Sequence, residues 1–374
     1  MIEVQMNKSL SNPKKNIFEV VSFLRFPLAV FVVLGHANPY RFDMGMEVIR
    51  KMDYNVMHFF IQFVGWSLFL PAVPLFFFIS GFLFFVKGDF NLEVYKKKIV
   101  KRIHSLLIPY LVWNAIFLIL NSRWLFKDIN LIGYVTTFIL AFIGLPFEHI
   151  INMEMSCPID PPLWFIRDLL GVMFFSPLIY ILVARFERVY YLGLFSMLIC
   201  YLSGSRYQYW IPGISLPALL FFSIGAYCGI KKNEFLVYLY KYRNILVISW
   251  AILLYYNVMA SINELYFKAT LDGVCAIMGG MSYLIIGTVL ANSHIYKPII
   301  SSGGVFVIYA LHMPILPYIY KFYLDIFPYY DISEFLISFI YLLSVFSIVM
   351  ISFVLEKLLS MNVTSAYLFT GGRA

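Results

Sequence analysis

The sequence predicts an all-α polytopic membrane protein, a helix bundle of about ten transmembrane helices. Two observations carry that prediction. First, 61% of the 374 residues are hydrophobic and only 13% are charged, with mean hydropathy +0.82. A soluble domain carries roughly 45–50% apolar and about 25% charged residues, so the excess here needs lipid to accept it. Second, the apolar residues gather in runs long enough to cross a bilayer. Aromatics at 19% fit the same class, since Tyr and Trp concentrate at membrane interfaces. The formal net charge of +8 sits in short segments between apolar runs. It therefore reads as a topology signal and does not imply a nucleic-acid partner.

Residues 1–16 form a polar tail with Lys8, Lys14 and Lys15. The apolar run that follows is longer than a signal-peptide core of about 7–15 residues and has no A-x-A site, so it is expected to remain as the first span. About eleven apolar stretches are candidates: 17–37, 56–86, 103–121, 131–147, 164–183, 189–203, 212–230, 244–262, 271–291, 299–322 and 333–356. Backbone amides cannot go unpaired in lipid, so each is expected to be helical. Pro71 and Pro74 predict a kink in the second stretch. Residues 17–358 read as one membrane domain and 359–374 as a short tail.

Charge sets the orientation. Lys96, Lys97, Lys98, Lys101 and Arg102 form one basic cluster, and Lys231, Lys232, Lys241 and Arg243 a second. Both are expected in the cytoplasm. Loop 148–162 holds Glu148, Glu154 and Asp160 without Lys or Arg, and is expected outside. Counting spans from the two clusters gives opposite sides for residue 163. One of the segments 103–121 and 131–147 must then be re-entrant, interfacial or merged with its neighbour. That leaves both termini cytoplasmic in a multi-pass membrane protein.

Four motifs hold residues that lipid does not welcome. In the first helix Arg25 and His36 are eleven positions apart. That is three turns plus about 20°, so both project from one face, about 16 Å apart along the axis. An Arg near a bilayer centre costs at least about 2.5–3.5 kcal/mol, so it should face the bundle interior. In "PLFFFISGFLFF" (residues 74–85), Ser80 interrupts an aromatic run and Gly81 permits close helix approach. No G-x-S-x-G elbow surrounds Ser80, so a packing role outweighs a nucleophile. In "PPLWFIRDLL" (161–170), Trp164 is expected at an interface. Arg167 and Asp168 lie one turn deeper and, being adjacent, are expected to need separate partners. In "VIYALHMPIL" (307–316), Pro314 frees the carbonyl of Ala310, and His312 is placed to bond into that gap. The basic stretch with Lys98, Lys101 and Arg102 suits either topology or a phosphate-bearing ligand. The cysteines 157, 200, 228 and 275 form no disulfide framework and no zinc pattern, so no metal site is expected.

Taken together these segments resemble acyltransferase family 3, the integral-membrane O-acyltransferases of bacterial surface glycans. The resemblance runs from Phe18 to about Glu356. It is carried by R-x10-H at Arg25 and His36, P-L-F-F-x-x-S-G-F at Pro74 to Phe82, L-W-F-x-x-x-L at Leu163 to Leu169, and Y-x-x-H-x-P at Tyr309, His312 and Pro314. The family's R-x-x-R is replaced here by Lys98-x-x-Lys101 or Arg102-x-x-Ser105, which keeps charge and loses most of the bidentate fork. The resemblance implies transfer of acetyl from acetyl-CoA, a substrate and not a bound cofactor, to a glycan hydroxyl. It implies His36 as general base and Arg25 as the group that positions the donor or stabilises the oxyanion, with Lys98, Lys101 and Arg102 toward the donor. Ser80, Trp164, Arg167, Asp168 and His312 are then expected to line the acceptor side or the cavity. The competing class is an exporter of polysaccharide or lipid-linked sugar. Such a transporter is expected to show internal repeats with paired broken helices, and the kinked stretch at 56–86 has no twin in the sequence.

Overall fold

The computed structural model describes residues 13–39, 56–87, 90–125, 158, 160–204, 209–211, 214–231, 234–291, 301–327 and 333–373. Helix α1 runs Pro13–His36 and α2 Val56–Gln62, followed by a π-turn at Phe63–Ser67. After the break at 68–71 comes α3, Ala72–Phe85, with Pro71 as its N-cap. Pro71 and Pro74 thus stand at the start of α3, and Val56–Phe85 together makes one candidate span. Next are α4 (Leu92–Arg102), a π-turn at Ile103–Leu107 and α5 (Ile108–Leu125). Asn91 caps α4 by accepting from the Val94 N–H at 2.9 Å, so the basic cluster is helical. Helices α6 (Trp164–Phe174), α7 (Ser176–Arg185) and α8 (Glu187–Leu202) follow. A two-residue-wide antiparallel hairpin, β1 (Tyr209–Ile211) and β2 (Ile214–Ser215), leads into α9 (Leu216–Ile230). The rest is helical: α10 (Phe235–Lys241), α11 (Arg243–Ile262), α12 (Lys268–Ala291), α13 (Ser302–Ile326), α14 (Glu334–Ser360) and a short α15 (Val363–Thr370).

The architecture is the all-α membrane bundle that the composition predicts. Among the described residues, seven helical stretches are long and apolar enough to cross a membrane, and eight if a bent pair counts as one span. That pair corrects the sequence reading. Residues 164–183 were expected as one helix, but the axis turns by 52° between Pro161–Phe174 and Ser176–Arg185. Pro177, at the second position of α7, has no N–H to continue the ladder from α6. The expected span at 189–203 is the 16-residue α8, about 24 Å of helix, shorter than a hydrocarbon core of about 30 Å. The stretch at 212–230 yields only the 15 helical residues of α9. Segment 131–147 and nearly all of loop 148–162 lie outside the described residues.

The tightest helix pair is α3 against α9, and glycine explains it. A Cβ on Gly81 would lie 2.1 Å from the Phe222 carbonyl oxygen, and one on Gly225 2.0 Å from that of Phe78. Gly225 and Gly229 form a G-x-x-x-G stripe that lets the two backbones touch. Of this pair, α3 lines with α1 the cavity where Arg25 and Ser80 meet.

Candidate functional site

Helix α1 contributes two polar positions to the interior. Arg25 lines a cavity of about 320 Å³ together with Ser80 of α3, Arg102 at the end of α4, Phe165 of α6, Tyr309 of α13 and Arg373 beyond α15. Three guanidinium groups thus share one cavity, and Leu28 and Phe306 are among its apolar lining. Arg373 lies outside the membrane-spanning stretches. Burial, then the charges of Arg102 and Arg25, lower its pKa to about 10, which leaves it cationic at neutral pH.

His36 stands at the last turn of α1. Its ring meets that of His312 at 5.1 Å between centroids and that of Phe69 at 5.9 Å. Phe69 reaches this position because residue 35 is glycine: a Cβ there would sit 2.6 Å from the Phe69 ring. His312 is fully buried. Its Nδ1 lies 2.7 Å from the Tyr309 carbonyl oxygen. A carbonyl only accepts, so Nδ1 carries the proton and Nε2 presents its lone pair. Nε2 is buried and has no hydrogen-bond partner among the described residues. The expectation that His312 would fill the carbonyl of Ala310 is corrected: it bonds one residue earlier, to Tyr309.

Tyr309 joins the two zones. It lines the arginine cavity, its hydroxyl donates to the Pro162 carbonyl, and its ring lies 6.2 Å from that of His312. The histidine pair therefore begins about one helical turn beyond the cavity wall.

The remaining predicted residues fall elsewhere. Lys98 donates to the Phe84 carbonyl and sits 5.0 Å above the Phe84 ring, while Lys101 is exposed. Of that basic trio, Arg102 is the one that lines the cavity. Trp164 packs 6.0 Å from Phe77. Arg167 and Asp168 contradict the expectation of separate partners. Arg167 Nε and a terminal guanidinium nitrogen donate to Asp168 Oδ1 at 3.0 and 2.9 Å. The Cβ atoms diverge, but the three-methylene stem of Arg is long enough to curl back. Asp168 Oδ2 also accepts from the Ser215 N–H at 2.9 Å, which ties the hairpin to α6. Arg373 was missed by the sequence reading, because nothing in a polar tail announces that the chain returns to the bundle.

A family model described as an acyltransferase domain matches residues 20–355. The succinoglycan biosynthesis protein ExoH of Rhizobium meliloti (strain 1021) is 29% identical over 180 residues, covering 48% of this chain and 46% of the relative. The match thus spans about half the length of that curated relative. No solved structure matches.

Proposed function

The chain belongs to the acyltransferase domain family matched over residues 20–355, and from that premise we propose that it transfers acetyl from acetyl-CoA to a hydroxyl of a surface or lipid-linked glycan. The observation that carries the reading is the division of one helix face. Arg25 enters a cavity with two other guanidiniums, and His36 meets His312 at the far end of the same helix. Anionic groups of the donor pair with Arg25 and Arg102 through charge-assisted hydrogen bonds. The acyl end of the donor extends past Tyr309 toward the histidines.

A sugar hydroxyl is a weak nucleophile until a base takes its proton, and imidazole has a suitable pKa. His36 accepts that proton as the hydroxyl oxygen bonds to the thioester carbon. The oxyanion then collapses, the C–S bond breaks, and the thiolate leaves to take up a proton as the free thiol. About 16 Å of helix separates Arg25 from His36. Arg25 therefore holds the anionic part of a long donor and does not touch the reacting carbonyl. The relative's printed role in succinoglycan biosynthesis supports a glycan as the acceptor.

The test is His36→Ala. Surface glycan from cells carrying the variant is expected to lack acetyl while the protein accumulates in membranes at the wild-type level. Fully acetylated glycan would remove His36 from the reaction.

A further inference from the structure

After the last long helix the chain turns back into the bundle. Asn362 caps α15, its Oδ1 accepting from Thr364 and Ser365 N–H at 2.8 and 3.3 Å. The helix ends at Gly371, φ +66°, with Gly371 N–H on the Tyr367 carbonyl at 2.9 Å and Gly372 N–H on that of Ala366 at 3.3 Å. This is a left-handed glycine stop. A Cβ on Gly371 would lie 2.2 Å from the Ser105 carbonyl oxygen, so glycine alone lets the chain pass the π-turn at this distance. Three elements pin the segment. Trp113 Nε1 donates to the Phe369 carbonyl at 3.0 Å, His104 Nδ1 and the Tyr367 hydroxyl pair at 2.5 Å, and the Ser302 hydroxyl donates to the Arg373 carbonyl at 3.3 Å.

What this delivers is one side chain. The Arg373 guanidinium lies 4.6 Å from the centroid of the Phe306 ring and lines the cavity with Arg25 and Arg102. Among the described residues no carboxylate forms an ion pair with any of the three; the described pairs are Lys97–Glu93, Arg167–Asp168, Lys231–Glu187 and Lys268–Asp272. Three like charges brought together out of bulk water repel each other and have lost hydration. An anion carrying several charges relieves both costs, and the planar fork of Arg matches phosphate. At about 320 Å³ the space falls at the small end of ligand pockets.

We propose that Arg373 is the third corner of a polyanion site for a phosphate-bearing ligand, completed by the returning segment 361–373. The proposal rests on the reading of this cavity as the donor end. Phosphate groups reach such a site from a nucleotide-type coenzyme or from a phospholipid headgroup, and the proposal assigns the coenzyme.

The test uses the full chain in nanodiscs. Binding is measured for coenzyme A, for 3′-dephospho-coenzyme A and for pantetheine, in wild type, Arg373→Gln, Arg373→Lys and Gly371→Ala. Arg373→Gln is expected to weaken coenzyme A by about ten- to a hundredfold, the range of a charge-assisted hydrogen bond. Pantetheine binding stays unchanged, and Arg373→Lys recovers part of the loss. Gly371→Ala should weaken coenzyme A similarly with every charge retained. Unfolding temperatures near wild type identify the variants that remain folded. If coenzyme A binding is untouched while co-purified anionic phospholipid disappears from Arg373→Gln, the ligand is a lipid headgroup and the donor assignment is overturned. If neither ligand responds, Arg373 is structural and the site is overturned. Failure of wild type to bind coenzyme A while Arg373→Gln still loses lipid would instead defeat the donor reading of the cavity.

Discussion

A buried histidine is informative when one of its nitrogens is already committed. His312 spends Nδ1 on the Tyr309 carbonyl, which fixes the tautomer and leaves Nε2 as a lone pair. Nε2 lies buried without a hydrogen-bond partner among the described residues, close to the ring of His36. Two substitutions separate a structural from a chemical role. Asparagine can still donate to the Tyr309 carbonyl but offers no basic nitrogen, whereas alanine offers neither. If His312 supports proton transfer, His312→Asn is expected to lower turnover by about a hundredfold or more, in line with the worth of general acid–base groups. Its membrane level should stay close to wild type. Wild-type turnover in His312→Asn, with loss only in His312→Ala, would reduce His312 to a cap on the helix. The sequence singled out His312, since a histidine within a span needs a reason. It did not show the partner, because Pro314 drew attention to the carbonyl at Ala310 while the ring turned to Tyr309.

At the scale of elements, two devices hold the site. One is the contact of α3 with α9, where Gly81 and Gly225 each face a backbone carbonyl of the other helix. This places Ser80 on the cavity wall. Gly225→Ala is expected to force the helices apart and cost about 1–3 kcal/mol, the usual range for overpacking. The check is a lower unfolding temperature of the detergent-solubilised protein, while Gly193→Ala, which meets nothing within 4 Å, should leave it unchanged. The other device is the π-turn at Phe63–Ser67. Trp66 Nε1 donates to Asp272 Oδ1 at 3.2 Å, Ser67 donates to Asn257 Oδ1 at 2.7 Å, and Asn257 donates to Asp272 at 2.7 Å. Lys268 completes the cluster with Asp272 Oδ2 at 2.8 Å. These bonds fix Trp66, whose ring meets Phe69 at 5.7 Å, and Phe69 in turn abuts His36. Helices and the close approach at Gly81 were legible because apolar runs and small residues act locally. The bend at Phe175, the curled Arg167–Asp168 pair and the return of Arg373 were not, since each depends on where a distant segment or a long side chain comes to rest.

Across the whole molecule the polar groups divide into two zones joined by α1. The arginine zone lies beside the basic helix α4 and the start of α13, through Arg102 and Ser302. The histidine zone connects through Phe69 and Trp66 to Lys268, whose ammonium lies 5.0 Å from the centroid of the Trp66 ring, and so to the turn between α11 and α12. By the bias of Lys and Arg in α4 and around residues 231–243, those ends are expected in the cytoplasm. The turn at 263–267 is then expected to face outward, and the proposed donor and acceptor ends to face opposite compartments. Two exposed positions test this. Tyr266 is fully exposed at that turn, and the Lys97 side chain is 76% exposed on α4. With the four native cysteines replaced by alanine, Tyr266→Cys is expected to react with an impermeant maleimide on intact spheroplasts. Lys97→Cys should react only after the membrane is opened. Labelling of both from the same face would place the arginine and histidine ends in one compartment. A donor crossing the bilayer along α1 would then have no basis, and the acyl group would have to be transferred on a single side.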